Sequence, residues 1–137
     1  MERYAQKIIS VLQRHNIPGV FNAENSLVYA YRETGNGDIY GIYECRGTRI
    51  VCYAVCSLPV PGEKQEQVME YLSGISKGKS GEGFYLDHIT GCIAFGAGYC
   101  THKGGTGRQA ATFEEFCMKP FDMFLKYQQS IYEIILK

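Results

Sequence analysis

The sequence has no tryptophan, no excess of either charge and no long apolar run. Its 14 Lys and Arg residues balance 14 Asp and Glu residues. Because a neutral chain exerts no general attraction on phosphate backbones, the composition argues against a nucleic-acid partner. No stretch approaches the ~20 apolar residues that a membrane-spanning helix requires. We therefore expect neither nucleic acid nor a membrane as the partner.

Targeting signals are also missing from the sequence. The N-terminal residues enter an amphipathic pattern directly, without the apolar segment and cleavage site of a secretory signal, which predicts a cytoplasmic protein. In that compartment the six cysteines are expected to stay reduced and to pack as small apolar side chains. The 137 residues, 45% of them hydrophobic, suit one globular domain over residues 1–137. A pI of about 6.8 gives little charge repulsion between copies and leaves self-association open.

Hydrophobic periodicity predicts a helix followed by three strands in the first half of the chain. Apolar residues recur at helical spacing over residues 4–15 and then alternate over 27–32, 39–45 and 50–56. The Asn36-Gly37 pair is typical of a turn between antiparallel strands. Both faces of the third predicted strand are apolar, so we expect both to be covered.

A second helix and a second hairpin are predicted in the middle of the chain. Pro61 can open the helix because its missing N–H would have no partner in the first turn. Residues 84–86 and 92–95 then alternate around the Asp87 to Gly91 turn, which predicts a hairpin. The glycine-rich segment 96–107 is predicted to be irregular.

The last helix is predicted from its start signal and its broad apolar surface. Thr112 and Glu115 have the spacing of a capping box, and Pro120 is expected to kink or divide the helix. With this helix the element order becomes αβββαββα. The sequence therefore predicts one α+β domain, with helices packed on an antiparallel five-stranded sheet.

Three features together resemble the YbjN family, which is similar in fold to the type III secretion chaperones. They are the element order, the Leu58-Pro59-Val60-Pro61 entry to the second helix, and the Phe84-Tyr85-Leu86-Asp87 hairpin ahead of Cys92-Ile93-Ala94. The resemblance implies a small, often dimeric domain with a five-stranded antiparallel sheet. It also implies a chaperone-like or regulatory protein that acts by binding other proteins.

Eleven tyrosines supply the candidate binding surface. Tyrosine has a large apolar ring and a polar tip, so it suits half-buried sheet faces and protein interfaces equally. The strand tyrosines can form an ordinary cross-strand ladder, a binding or dimerisation patch, or both. The candidate partner-binding residues are Tyr29, Tyr31, Tyr40, Tyr53, Tyr71 and Leu72. They predict a non-enzymatic protein-binding module that forms a homodimer, with strand addition at an open sheet edge as a further possibility.

The glycine-rich segment 96–107 supplies the alternative, a small-ligand or phosphate-binding protein or enzyme. Its phosphate-binding residues would be Lys103, Gly104, Gly105 and Arg108, since backbone N–H groups before a helix can hold a phosphate. The segment matches neither glycine-rich template, because Lys103 precedes Gly104 and the chain lacks the parallel βαβ unit to which both templates belong.

Cysteine and histidine give little support for metal or nucleophile chemistry. Cys52 and Cys56 on one strand would point the same way about 13 Å apart, given ~3.3 Å of rise per residue. Zinc needs its sulfur ligands about 2.3 Å from one ion. Cys100 and His102 supply only two ligands and match no nucleophile signature. We expect no metal, cofactor or catalytic residue.

Overall fold

The structure, a computed structural model, describes residues 2–76, 82–101 and 112–137. These residues form three α-helices, a short 3₁₀ turn over Gly62–Lys64, and six strands. The helices are α1 (Glu2–Arg14), α2 (Gln65–Ile75) and α3 (Phe113–Leu136). The strands are β1 (Gly19–Asn22), β2 (Leu27–Arg32), β3 (Ile39–Arg46), β4 (Arg49–Pro59), β5 (Gly83–Leu86) and β6 (Cys92–Cys100). Among the described helices, none combines the length and the apolar character that crossing a membrane requires.

All six strands belong to one open sheet in the order β1-β2-β3-β4-β6-β5, and every neighbouring pair is antiparallel. The predicted α+β class and antiparallel sheet are confirmed, whereas the predicted count of five strands is wrong. The additional strand is β1, which pairs with β2 through Val20 and Tyr29. Four residues between Pro18 and a turn are too few to show alternation, so β1 depends on pairing with β2.

Strand β6 extends into the segment that was predicted to be irregular. Gly96 lies opposite Tyr53 of β4, and Gly98 lies opposite Val51. Glycine weakens an isolated strand, but here β4 pairs along β6 as far as Cys100 and holds its backbone. Residues 102–107 of the predicted irregular segment lie outside the described residues.

The three helices share one face of the sheet and form a single core with it. From β4, Ile50, Cys52, Ala54 and Cys56 are buried in that core, whereas Tyr53 on the opposite side is 48% exposed. The expectation that both faces of this strand are covered is therefore wrong for the described part of the chain. We call the side turned away from the helices the open face.

Helix α3 crosses the core and begins as predicted. The Glu115 N–H donates to Thr112 Oγ1 at 3.1 Å, and the Thr112 N–H donates to Glu115 Oε1 at 3.4 Å, which confirms the capping box. The helix continues through the buried Pro120 as one element, so of the two expected effects, a kink or a division, the division does not occur. Phe121 and Phe124 follow and are almost completely buried, which supplies packing that offsets the hydrogen bond lost at the proline.

Candidate functional site

The open face carries its side chains in rows that run across the strands. Cross-strand register defines four rows, because residues directly opposite each other point to the same side of a sheet. They are Val20-Tyr29-Ile42-Tyr53-Gly96, then Tyr31-Tyr40-Val55-Ala94-Tyr85, then Asn22-Leu27-Glu44-Val51-Gly98, then Arg46-Arg49-Cys100. The first two rows contain no charged residue.

Most of the large apolar side chains that the described part of the chain exposes lie on this face. Six of the ten belong to the first two rows. They are Val20, Tyr29, Tyr40, Ile42, Tyr53 and Tyr85. Single exposed apolar residues are normal in soluble proteins, but a contiguous group of them marks an interaction surface.

The tyrosine rings on the open face are held in place by contacts with each other and with neighbouring polar groups. The Tyr31 and Tyr40 ring centroids lie 5.1 Å apart, and the Tyr53 and Tyr85 rings meet edge to face at 6.0 Å. The Tyr31 hydroxyl donates to Asp38 Oδ2 at 3.0 Å. Tyr31 and Tyr40 lie directly opposite each other on neighbouring strands, and such a pair is worth about 0.2–1 kcal/mol. The tyrosines therefore form both a ladder and a pre-ordered surface.

Two of these hydroxyls have raised pKa values. The hydrogen bond between the Tyr31 hydroxyl and Asp38 raises the pKa of Tyr31 to about 12, and burial contributes less to this rise. Burial first, and then a hydrogen bond with Tyr53, raise the pKa of Tyr85 above its ordinary value of 10.0. Both side chains are therefore neutral at physiological pH, so they add no charge to the first two rows.

Gly98 of β6 leaves the space that the Arg49 side chain occupies, because a Cβ at position 98 would clash with the Arg49 guanidinium. A Cβ at position 96 would make only an ordinary contact with the Tyr85 ring, at 4.0 Å. The charged groups gather where β3 turns into β4: Glu44 pairs with Arg46, and Arg49 lies over Gly98. The face is thus apolar across its middle and polar at that end, as protein interfaces are.

The structure brings together four of the six predicted partner-binding residues. Tyr29, Tyr31, Tyr40 and Tyr53 are neighbours on the open face. The other two lie on α2, on the opposite side of the sheet. Leu72 is buried in the core, and Tyr71 is half-buried beside Ile75 and Ile134 in a hollow between α2 and α3.

Three residues of the face were missed by the sequence analysis. Ile42 alternates in phase with Tyr40, and Tyr85 alternates with the buried Phe84 and Leu86, so strand periodicity could have found both. Val20 gave no signal because the strand that carries it was not predicted.

The alternative sites are only partly within the described residues. Lys103, Gly104, Gly105 and Arg108 lie outside them, as does His102. Among the residues that the structure describes, no cluster of three metal-ligating side chains is present.

The buried cysteines act as core residues. Cys52 and Cys56 both point into the core from β4 and, like Cys117, carry free thiols. Burial raises the pKa of Cys117 to about 12 and raises that of Cys52 still further. These two thiols therefore stay protonated and are poor nucleophiles.

No protein-family model matches this chain, and no curated protein sequence matches it either. The open face is therefore identified as the candidate site by its geometry and side-chain chemistry.

Proposed function

We propose that this chain is a non-enzymatic protein-binding module that recognises a polypeptide segment on the open face of its sheet. One observation carries the proposal: of the ten large apolar side chains that are exposed among the described residues, six belong to two adjacent uncharged rows on that face. Burying such surface is the main source of favourable free energy in protein association. The ordered tyrosine rings lower the entropic cost of binding because they need not be fixed by the partner.

The shape of the face favours a polypeptide over a small molecule. Small-molecule sites are concave and enclose most of their ligand. Six strands spaced ~4.8 Å apart instead give a continuous surface about 24 Å wide. Tyrosine and arginine are also enriched at protein interfaces, and this face has tyrosines in its middle and Arg46 and Arg49 at one end.

The resemblance to the YbjN family and to the secretion chaperones supports the same class of function. Their implied mode of action is the holding of a partner polypeptide on apolar surface, which agrees with an antiparallel sheet whose described helices all lie on one side. A chaperone-like or regulatory role, and a homodimer, are parts of this proposal.

Affinity capture from native lysate tests the proposed surface. We would compare the wild type with an open-face variant carrying Tyr40→Ser and Tyr53→Ser. The matched control carries Met69→Ser and Leu125→Ser, which remove two apolar side chains of similar exposure from helices α2 and α3. Mass spectrometry is expected to find proteins that the wild type and the control capture and that the open-face variant loses.

The captured protein would then be purified and its affinity measured by calorimetry. We expect the open-face variant to weaken binding at least tenfold, because the few hot-spot residues of an interface, in which tyrosine is enriched, cost about 2 kcal/mol or more when truncated. Equal affinity of the open-face variant and the control would contradict the proposal.

A further inference from the structure

The two outer strands of the sheet differ in how their free edges are used. In β5 the register with β6 turns the Phe84 N–H outward, where it donates to Ser76 Oγ at 3.0 Å. Ser76 follows the last residue of α2, so the end of this helix lies against the strand. A side chain at position 83 would meet Ser76 as well. The edge at β5 is therefore covered by the chain itself.

Within the part of the chain that the structure describes, the edge at β1 is open. The Tyr31 N–H donates to the Pro18 carbonyl at 3.3 Å, and the register continues with Val20 opposite Tyr29. Because hydrogen-bonded pairs alternate along an antiparallel ladder, Gly19 and Phe21 turn their N–H and C=O groups away from the sheet. Among the described residues, no hydrogen-bond partner is found for these groups. Val20, between them, is 64% exposed.

This edge is complementary to a second copy of itself. If a two-fold axis passes beside Val20, Gly19 of each copy lies opposite Phe21 of the other. Each of these two pairs exchanges two backbone hydrogen bonds, so the four outward-facing N–H groups of the two copies find four carbonyl acceptors. The exposed Val20 side chains become direct neighbours, with Cα atoms about 4.5 Å apart, as in other non-hydrogen-bonded pairs.

We propose that the chain forms a two-fold symmetric homodimer by antiparallel pairing of β1 with β1 of a second copy. The two sheets become one sheet of twelve strands, and the row of Val20 and Tyr29 continues across the axis into the second copy. The β1 edge is separate from the middle of the open face. The proposed interface rests on the homodimer that is part of the proposed function, but it does not depend on whether the open face binds another protein.

Disulfide cross-linking tests the register directly. In a background with Cys45, Cys92 and Cys100 changed to Ser, Val20→Cys would place two thiols side by side at the axis. In non-hydrogen-bonded pairs the Cα atoms are about 4.5 Å apart and the Cβ atoms lie at or below the short end of ~4.5–5.5 Å, so a small shift reaches the ~3.5–4.5 Å Cβ separation of a disulfide. We expect a covalent dimer from Val20→Cys. No dimer is expected from the control Tyr53→Cys, which is exposed on the same face but lies far from the axis.

Sedimentation equilibrium supplies the second measurement. The wild type is expected to be a dimer at micromolar concentration. Val20→Lys should be a folded monomer, because two ammonium groups would lie directly opposite each other. Tyr53→Lys should remain a dimer. Circular dichroism checks that each variant is folded, and if Val20→Lys fails to fold, the cross-linking result decides.

Two results would overturn the proposed dimer. One is a monomeric wild type that gives no Val20→Cys cross-link, and the other is a dimer dissociated by Tyr53→Lys but not by Val20→Lys. Capture of a different protein that is lost with Val20→Lys from a monomeric wild type would assign the edge to that protein instead. Failure of the open-face binding test leaves all of these outcomes unchanged, so the two proposals can fail separately.

Discussion

Tyr43 supports α3 at the place where its internal proline breaks the hydrogen-bond pattern. Pro120 has no N–H, so the carbonyl of Phe116, four residues earlier, loses its helical donor. The fully buried Tyr43 donates its hydroxyl to the neighbouring Cys117 carbonyl and packs edge to face on the Phe116 ring at 6.2 Å. Burial raises the pKa of Tyr43 well above its ordinary value, which keeps this donor protonated. One side chain therefore joins β3 to the helix at its weakest point.

Removing this hydroxyl should destabilise the fold. Tyr43→Phe keeps the ring but removes a buried hydrogen bond to a carbonyl that retains its helical donor, so the expected cost is about 0.5–1.5 kcal/mol. Tyr40→Phe is the matched control, because Tyr40 lies on the same strand and is 49% exposed. Urea unfolding should give a lower free energy of unfolding for Tyr43→Phe and a change within about 0.5 kcal/mol for the control. Equal effects of the two variants would show that the buried hydrogen bond contributes nothing.

Glu114 joins the end of α1 to the start of α3 and makes this contact sensitive to acid. Its carboxylate lies 3.0 Å from His15 Nε2 and 3.3 Å from Arg14 Nη2. The hydrogen bond with His15, and then the charge of Arg14, hold the pKa of Glu114 below its ordinary value of 4.5. A group whose pKa is lowered by folding stabilises the fold above its ordinary pKa, and this contribution is lost as pH falls through the folded value.

The expected consequence is a pH-dependent effect of Glu114→Gln. At neutral pH this variant should have a lower free energy of unfolding than the wild type, and the difference should shrink as pH falls below the ordinary pKa of 4.5. Chemical unfolding over a series of pH values measures it. Glu133→Gln, an exposed change on the same helix, is measured in parallel as the control for removing one carboxylate. A Glu114→Gln difference that grows in acid would contradict the lowered pKa.

At the scale of elements, Gln128 of α3 fixes the connection between β2 and β3. Its Nε2 donates to the Asn36 carbonyl at 3.0 Å and to the Gly37 carbonyl at 3.2 Å, while the side chain is 7% exposed.

Gln128→Leu fills the same space without these donors and should cost about 1–3 kcal/mol. The control is Gln129→Leu, whose exposed amide accepts from Asn36 Nδ2 at 3.1 Å. The midpoint temperature of thermal unfolding should be clearly lower for Gln128→Leu than for the control. A lower midpoint for the control would refute this role of Gln128.

The elements also differ in how far the sequence could predict them. Helices α1 and α3, the β2-β3-β4 strands and the β5-β6 hairpin carry local periodicity, capping or turn signals, and all were predicted in order. Two parts of the sheet could not be predicted. Strand β1 is too short to show a pattern, and the glycine-rich end of β6 is stabilised by pairing with β4, which is distant in sequence. Tyr71 and Leu72 were placed with the strand tyrosines since composition does not reveal which side of the sheet a helix covers.

At the scale of the whole molecule, a net charge of zero and an exposed apolar face together predict low solubility near neutral pH. Tyr40→Lys with Tyr53→Lys would change both properties, adding two positive charges and interrupting both uncharged rows. Gln13→Lys with Gln129→Lys adds the same charge at exposed helix positions and leaves the face intact. The concentration of precipitant needed to reach a fixed solubility should rise for both pairs and rise further for the tyrosine pair. Because each lost cross-strand contact is worth about 0.2–1 kcal/mol, the tyrosine pair should remain folded. An equal rise for the two pairs would mean that charge alone limits solubility and that the open face contributes no self-association.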